Sequence, residues 1–233
     1  MRQILGLLCA LALCSPLMAE DVYAIFNAKA VKDSDLMLAS SGIVKDIFVD
    51  VGSEVKKGDV LLQLANDDLS AQIKSAEHQY LFAKRKYERY KRSGGAVDKN
   101  SLDQFYSEYR RLESDYNYQR TVFEKTRLKA PFDGVIASKD IELGDGVGAN
   151  NTKLLRLVSK EVKLILEFDL KYAPKVKLGD KFDFRIDGND VEMHASISKI
   201  YPTADSSTRK VKAEAMVQGV IPGTFGDGYI RTK

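Results

Sequence analysis

Apolar and polar residues alternate along this chain in two different periods, and the switches between them mark its elements. From Ser41 to Ala65, short β-branched runs are broken by turns at Gly52 and Gly58, which predicts a series of short strands. The stretch from Leu128 to Ser159 repeats the scheme, with turns near Gly134 and between Gly144 and Gly148. Each copy alone is too short to close a core, so the two are expected to pack on each other as a flattened sandwich of two small sheets. The final third, 160–233, returns to period two: Val162, Leu164, Leu166 and Phe168, then Phe182, Phe184 and Ile186, then Val191, Met193, Ala195 and Ile197, then Val211, Ala213, Ala215 and Val217. Turn signals at Leu178-Gly179-Asp180, Asp187-Gly188-Asn189-Asp190 and Pro222-Gly223 separate these runs. Four or five such strands, with the segment from Val22 to Leu38 as an extra one, predict a small antiparallel barrel.

Between the two sandwich halves the period changes to three and a half. Leu69, Ile73, Ala76, Tyr80, Ala83, Tyr87 and Tyr90 keep four-three spacing, and Leu102, Phe105, Tyr109, Leu112, Tyr116, Gln119, Phe123 and Thr126 continue it after a break. The break, Ser93 to Asn100, is short enough to force the two helices antiparallel. Ser101 with Gln104 offers a capping box for the second helix, and Asn66, Asp67 or Asp68 a cap for the first. Facing pairs then fall at matching heights: Ile73 with Phe123, Tyr80 with Tyr116 and Tyr87 with Tyr109, the numbers in each pair adding to 196. Helices of about 25 residues at about 1.5 Å per residue would project roughly 35–40 Å.

The first residues change the picture of where the chain works. Arg2, the apolar run Ile4–Cys14 of eleven residues, and Ser15-Pro16-Leu17-Met18-Ala19 before Glu20 read as a secretory signal peptide cleaved after Ala19. The run is too short for a membrane-spanning helix, which needs about 20 apolar residues. Both cysteines, Cys9 and Cys14, lie in this leader, so the mature chain offers no disulfide, thiolate metal site or cysteine nucleophile. The whole chain carries a net charge of +3, and loss of Arg2 leaves about +2, too little to attract nucleic acid in bulk. His78 and His194 stand apart in the sequence, and no nucleophile elbow or phosphate-cradling loop is present, so neither metal binding nor catalysis is expected.

This order of motifs resembles the periplasmic adaptor, or HlyD-type membrane fusion, family. Gly42-x-Val44 with Val49, Gly52, Val55, Gly58-Asp59 and Leu61 is similar to the family's first half-lipoyl motif, and Ala130-Pro131-Phe132-Asp133-Gly134-Val135-Ile136 to its second. Ile197-x-x-Ile200-x-Pro202-x-x-Asp205-x-x-Thr208-Arg209, followed by Pro222-Gly223-x-Phe225, is similar to its barrel signature. The resemblance implies a mainly β chain: a half-lipoyl, barrel-sandwich domain split by a long α-helical coiled-coil hairpin and followed by a small antiparallel β-barrel. The expected parts are 1–19 as leader, 20–40 joined to the barrel, 41–65 and 128–159 as sandwich halves, 66–127 as the hairpin and 160–233 as the barrel, with the membrane-proximal domain of drug-efflux members reduced or absent.

The family's role would make the chain a periplasmic adaptor that bridges an inner-membrane transporter, of resistance-nodulation-division type, and an outer-membrane channel for drug efflux or export. It would be held at the inner membrane through the transporter and would self-associate into a ring, trimer or hexamer. The alternatives are a periplasmic coiled-coil interaction module without a transport role, or an adaptor of an ABC-type or metal exporter. Lipoate or biotin is not expected, because Leu64 runs through Ala65-Asn66-Asp67-Asp68 into a helix and no lysine is presented at a hairpin there.

The residues assigned to channel docking are Arg89, Arg92, Ser93, Ala96, Val97, Asp98, Lys99 and Asn100. Many members place a Leu four residues after a tip Arg and a Ser seven after that. Here Arg89 is followed at those distances by Ser93 and Asn100, a departure that leaves the channel unspecified. The run Lys84-Arg85-Lys86-Tyr87-Glu88-Arg89-Tyr90-Lys91-Arg92 admits two readings, a solvated face that complements the helix dipole or a surface that holds an acidic partner.

Overall fold

The computed structural model describes residues 21–93 and 98–232. They fall into two compact units, one holding the chain up to Ala30 together with everything from Glu161 onward, the other holding Val31–Lys160. In chain order the elements are β1 (Asp21–Ala30), β2 (Asp33–Leu36), β3 (Gly42–Ile47), β4 (Glu54–Val55), β5 (Val60–Leu64), α1 (Asp67–Arg92), α2 (Lys99–Glu124), β6 (Arg127–Lys129), β7 (Gly134–Lys139), β8 (Gly146–Val147), β9 (Leu155–Val158), β10 (Val162–Asp169), β11 (Lys181–Ile186), β12 (Asn189–Ala204), β13 (Lys210–Val217) and β14 (Phe225–Arg231). No helix among the described residues is long and apolar enough to cross a membrane.

The first unit is a closed antiparallel barrel in the order β1-β10-β13-β12-β11-β14, with β14 pairing back onto β1. Alternation drives it: Val22, Ala24, Phe26 and Ala28 of β1 point inward to meet Val162, Leu164, Leu166 and Phe168 of β10 and Val211, Ala213 and Ala215 of β13. The sequence pattern missed β14, whose inward positions are Gly226, Gly228 and Ile230, two of them glycine. A Cβ at Gly226 would lie 2.1 Å from the Arg185 carbonyl oxygen, and one at Gly228 2.2 Å from that of Asp183. The room left there is filled by Phe26 of the neighbouring strand β1, the residue paired with Gly226, whose ring packs edge-on to Phe184 at 5.0 Å.

The second unit carries two four-stranded sheets, β2-β9-β7-β4 and β6-β5-β3-β8. Each short strand crosses to the other half: β4 pairs with β7 and β8 with β3, so neither half closes a core alone. The shared core is Leu36, Leu38, Val44, Leu61, Leu62, Leu64, Ile136, Leu154, Leu155 and Leu157 among others. The expected barrel segment 20–40 is corrected here. Only β1 joins the barrel, whereas β2 pairs with β9 in the sandwich, and Lys32 donates its backbone N–H to Ser159 Oγ at 3.0 Å where the chain changes unit. The alternation of β1 stops at Ala30, and Leu36 and Leu38 bury in the sandwich core instead.

Two helices of 26 residues leave and re-enter this sandwich. They lie side by side and run in opposite directions, since ring partners fall along α2 as they rise along α1: Tyr80 stacks on Tyr116 at 5.5 Å, Tyr87 on Tyr109 at 5.8 Å and Tyr90 on Phe105 at 4.8 Å. The first two are the pairs expected at equal height. Ala76, Ala83 and Leu112 are buried between them.

Candidate functional site

The helix pair is fixed at its base by a polar clamp. Asn66, the N-cap of α1, does not bond to its own helix through its side chain. Its amide instead donates to Thr126 Oγ1 at 2.9 Å, where α2 has ended, and accepts from Gln63 Nε2 at 3.2 Å. Thr126 donates in turn to the Phe123 carbonyl at 2.7 Å, and Arg127 Nε donates to Gln63 Oε1 at 3.0 Å. Asn66 and Thr126 are only 6% and 3% exposed, so each is costly to leave unpaired. Sequence reasoning placed Asn66 only as a cap and Thr126 only in the seam; nothing in the spacing announces a bond across 60 residues.

From this base a ladder of rings climbs toward the outer end. Tyr80 stacks on both Tyr116 and Tyr109, Tyr109 on Tyr87, and Tyr87 meets Tyr106 at 5.3 Å. Aromatic contacts of this kind add about 0.5–1.5 kcal/mol beyond the area they bury. The hydroxyl of Tyr109 donates to Glu113 at 3.1 Å, so the polar end of a seam ring finds a partner at the rim.

Of the residues assigned to the outer end, Arg89 and Arg92 lie in the last turn of α1, Ser93 follows as its C-cap, and Asp98, Lys99 and Asn100 open α2, while Ala96 and Val97 lie outside the described residues. Arg89 and Arg92 are exposed, and Ser93 closes α1 by donating its hydroxyl to the Tyr90 carbonyl at 2.6 Å. The expected capping box at Ser101 is corrected: α2 begins at Lys99 with Asp98 as its cap. Asp98 accepts the Ser101 N–H at 3.0 Å and the Ser101 hydroxyl at 2.6 Å, so Ser101 occupies the third helical position. The Ser101 hydroxyl first, and its N–H second, hold the Asp98 carboxyl below the usual carboxylate range.

In the barrel a second cluster surrounds Asp183, whose carboxylate takes Arg231 Nε at 2.9 Å, His194 Nδ1 at 2.7 Å and Lys181 Nζ at 3.1 Å. Burial pushes this carboxyl up, but hydrogen bonds from Arg231, Lys181 and His194 outweigh it and hold it down at about 2. The pairing of Asp183 with His194 follows from the β11–β12 register, which sequence spacing does not reveal. Among the described residues no group of three or more His, Cys, Asp or Glu side chains is placed to hold a metal ion.

Comparison with known proteins places this geometry. Residues 34–158 match the family model of the CzcB-like, barrel-sandwich hybrid domain. The chain is 28% identical over 194 residues to the cobalt-zinc-cadmium resistance protein CzcB of Cupriavidus metallidurans, covering 74% of this chain and 36% of that protein. It is 27% identical over 194 residues to the cation efflux system protein CzcB of an Alcaligenes species, with the same coverage of 74% and 36%. The chain therefore spans little more than a third of the length of these two relatives. Among solved structures, a MacA-MexA chimeric protein containing the Pseudomonas aeruginosa MexA alpha-hairpin domain shares the fold, with a TM-score of 0.79 at 22% identity over 93% of this chain and 80% of that one.

Proposed function

The chain belongs to the CzcB-like barrel-sandwich hybrid family of membrane fusion proteins, and from that premise we propose that it is a periplasmic adaptor joining an inner-membrane transporter, of resistance-nodulation-division type, to an outer-membrane channel. Membrane fusion proteins are adaptors and not enzymes, so its work lies in shape and contact. The observation that carries this reading is the helix pair. Held by the Asn66–Thr126 clamp and a tyrosine ladder, it forms an antiparallel coiled-coil hairpin about 39 Å long at about 1.5 Å per residue, stiff enough to act as a spacer. Its outer end, Arg89–Asn100, is the part we assign to the channel. The barrel is assigned to the transporter, and several copies side by side, three or six, close a ring around the transport path.

For the exported substrate we take divalent transition-metal cations over the organic drugs expected from the sequence. Two similar proteins carry cation resistance or cation efflux in their names. An adaptor needs no ligand set of its own for this, because the transporter selects what is moved. A strain lacking the chain, grown on graded zinc, cobalt and cadmium and on a panel of hydrophobic drugs, tests the reading. Sensitivity to the cations, restored by the chain, is expected. Sensitivity to drugs alone would return the substrate to the first expectation, and unchanged tolerance of both would favour a structural coiled-coil module without a transport role.

A further inference from the structure

The positive charge on the outer half of α1 lies on two faces. Lys84, Lys86 and Lys91 turn toward the seam, their ammonium groups 5.9, 4.2 and 5.6 Å from the ring centres of Tyr80, Phe105 and Tyr87. Arg85, Arg89 and Arg92, spaced i, i+4 and i+7, share one exposed stripe. Arg85 and Arg92 reach only carbonyls of their own helix, each at 3.2 Å, and Arg89 lies over the neighbouring Tyr90. Among the described residues no carboxylate forms an ion pair with any of the three, whereas Arg110 and Arg111 of α2 pair with Glu113 and Glu108.

The helix dipole explains part of this stripe. Arg89 and Arg92 sit in the last turn, where a cation is favourable, but Arg85 lies a turn before Arg89 and about two turns from the helix end, beyond the reach of that effect. Like charges at i, i+4 oppose the helix, so the stripe is not there for the stability of the lone chain. Phe82 precedes it on the same face and is 65% exposed, with Leu81 beside it. Exposed aromatic rings and arginines are the residues enriched in the energetic centres of protein interfaces.

We propose that Phe82, Arg85, Arg89 and Arg92 form a docking face for an acidic surface with an apolar centre on a partner protein. The proposal rests on the adaptor reading for the identity of that partner, the channel protein, and adds its chemistry. A flat membrane met by the helix end fits less well. Phe82 lies ten residues before Arg92, about 15 Å back along the helix, where only a surface running alongside can reach it.

The test uses the full chain and two probes, immobilised poly-L-glutamate and vesicles of phosphatidylglycerol, each across a series of salt concentrations. The triple variant Arg85→Glu, Arg89→Glu, Arg92→Glu is expected to bind poly-L-glutamate at least ~10-fold more weakly, with a shallower salt dependence. Arg85→Gln, Arg89→Gln, Arg92→Gln, which spares the helix end a reversed charge, is expected to fall between. A control that reverses Lys56, Lys57 and Lys177, all exposed and none of them part of α1, is expected to stay within ~2-fold. An equal loss in the control would reduce the effect to bulk charge and overturn the proposal. Vesicle binding as tight as poly-L-glutamate binding, and lost in the same variants, would overturn it in favour of a membrane surface. Self-association of the native chain that the arginine reversal dissolves would give the face to a second copy. None of these measurements involves a channel or transporter, so their failure leaves the adaptor reading standing. That reading fails instead if a probe at the tip captures no channel in cells.

Discussion

Asp98 carries the start of α2 on one side chain, taking both the N–H and the hydroxyl of Ser101. Asp98→Ala is expected to cost about 1 kcal/mol of stability, the usual loss for a removed cap, and to fray the first turn; chemical denaturation together with hydrogen exchange at Asn100 and Ser101 would show it. In the barrel, Asp183 ties β11 to Arg231 of β14 and His194 of β12. Its pKa in the folded chain lies near 2, below the ordinary 3.8, so the stability it supplies is present above about pH 4 and is lost as pH falls toward 2. Between pH 5 and 2 the denaturation midpoint should therefore fall more steeply for the native protein than for Asp183→Asn. Neither role was legible beforehand. Ser101 with Gln104 has the spacing of a capping box, and only the true start of the helix shows that Asp98 precedes it by three residues. The Asp183 cluster depends on a strand register that no local pattern encodes.

At the scale of elements, the helices were the most legible part, because a period of three and a half sustained along both segments suits a packed helix pair and no strand, and it predicts the heights at which rings meet. Tyr80 is the centre of that ladder, stacked on both Tyr109 and Tyr116. Tyr80→Ala is expected to remove about 2 kcal/mol, for a half-buried aromatic truncated in the helix seam, and to loosen the helices before the sandwich unfolds; thermal melts followed separately by helix and sheet signals would resolve the order. Ala83→Pro should be more severe for function. It removes a helical hydrogen bond in mid-α1 at about 3 kcal/mol, so growth on toxic cations should fail while the protein still reaches the periplasm; wild-type tolerance in that variant would count against a stiff spacer. The strands were harder. β12 runs without interruption from Asn189 to Ala204, yet its register on β13 slips between Ile197 and Lys199 and again between Ile200 and Ala204. The first slip moves the inward row from Ile197 to Ile200, and the second brackets Pro202, which has no N–H to pair. A single period cannot follow that. β14 hid for the opposite reason, since two of its three inward positions, Gly226 and Gly228, are glycines that a hydrophobic pattern does not count, which leaves Ile230 alone.

At the scale of the whole molecule, the sandwich assembles from two half-motifs that exchange their shortest strands, which is why each half alone read as too small to fold. That exchange brings both ends of the helix pair to one place, where Asn66 meets Thr126 across 60 residues of sequence. The order of motifs was enough to recognise the family. The division of residues 20–40 between two units was not, because Leu36 and Leu38 are apolar residues that suit either core and only pairing with β9 decides between them. The most direct measurement of the proposed bridging role is photo-cross-linking in living cells from position 99, next to the Asp98 cap but sparing it, with captured proteins identified by mass spectrometry. An outer-membrane channel protein is the expected capture. A folded chain, present in the periplasm, that captures no channel protein from this position would contradict the adaptor role.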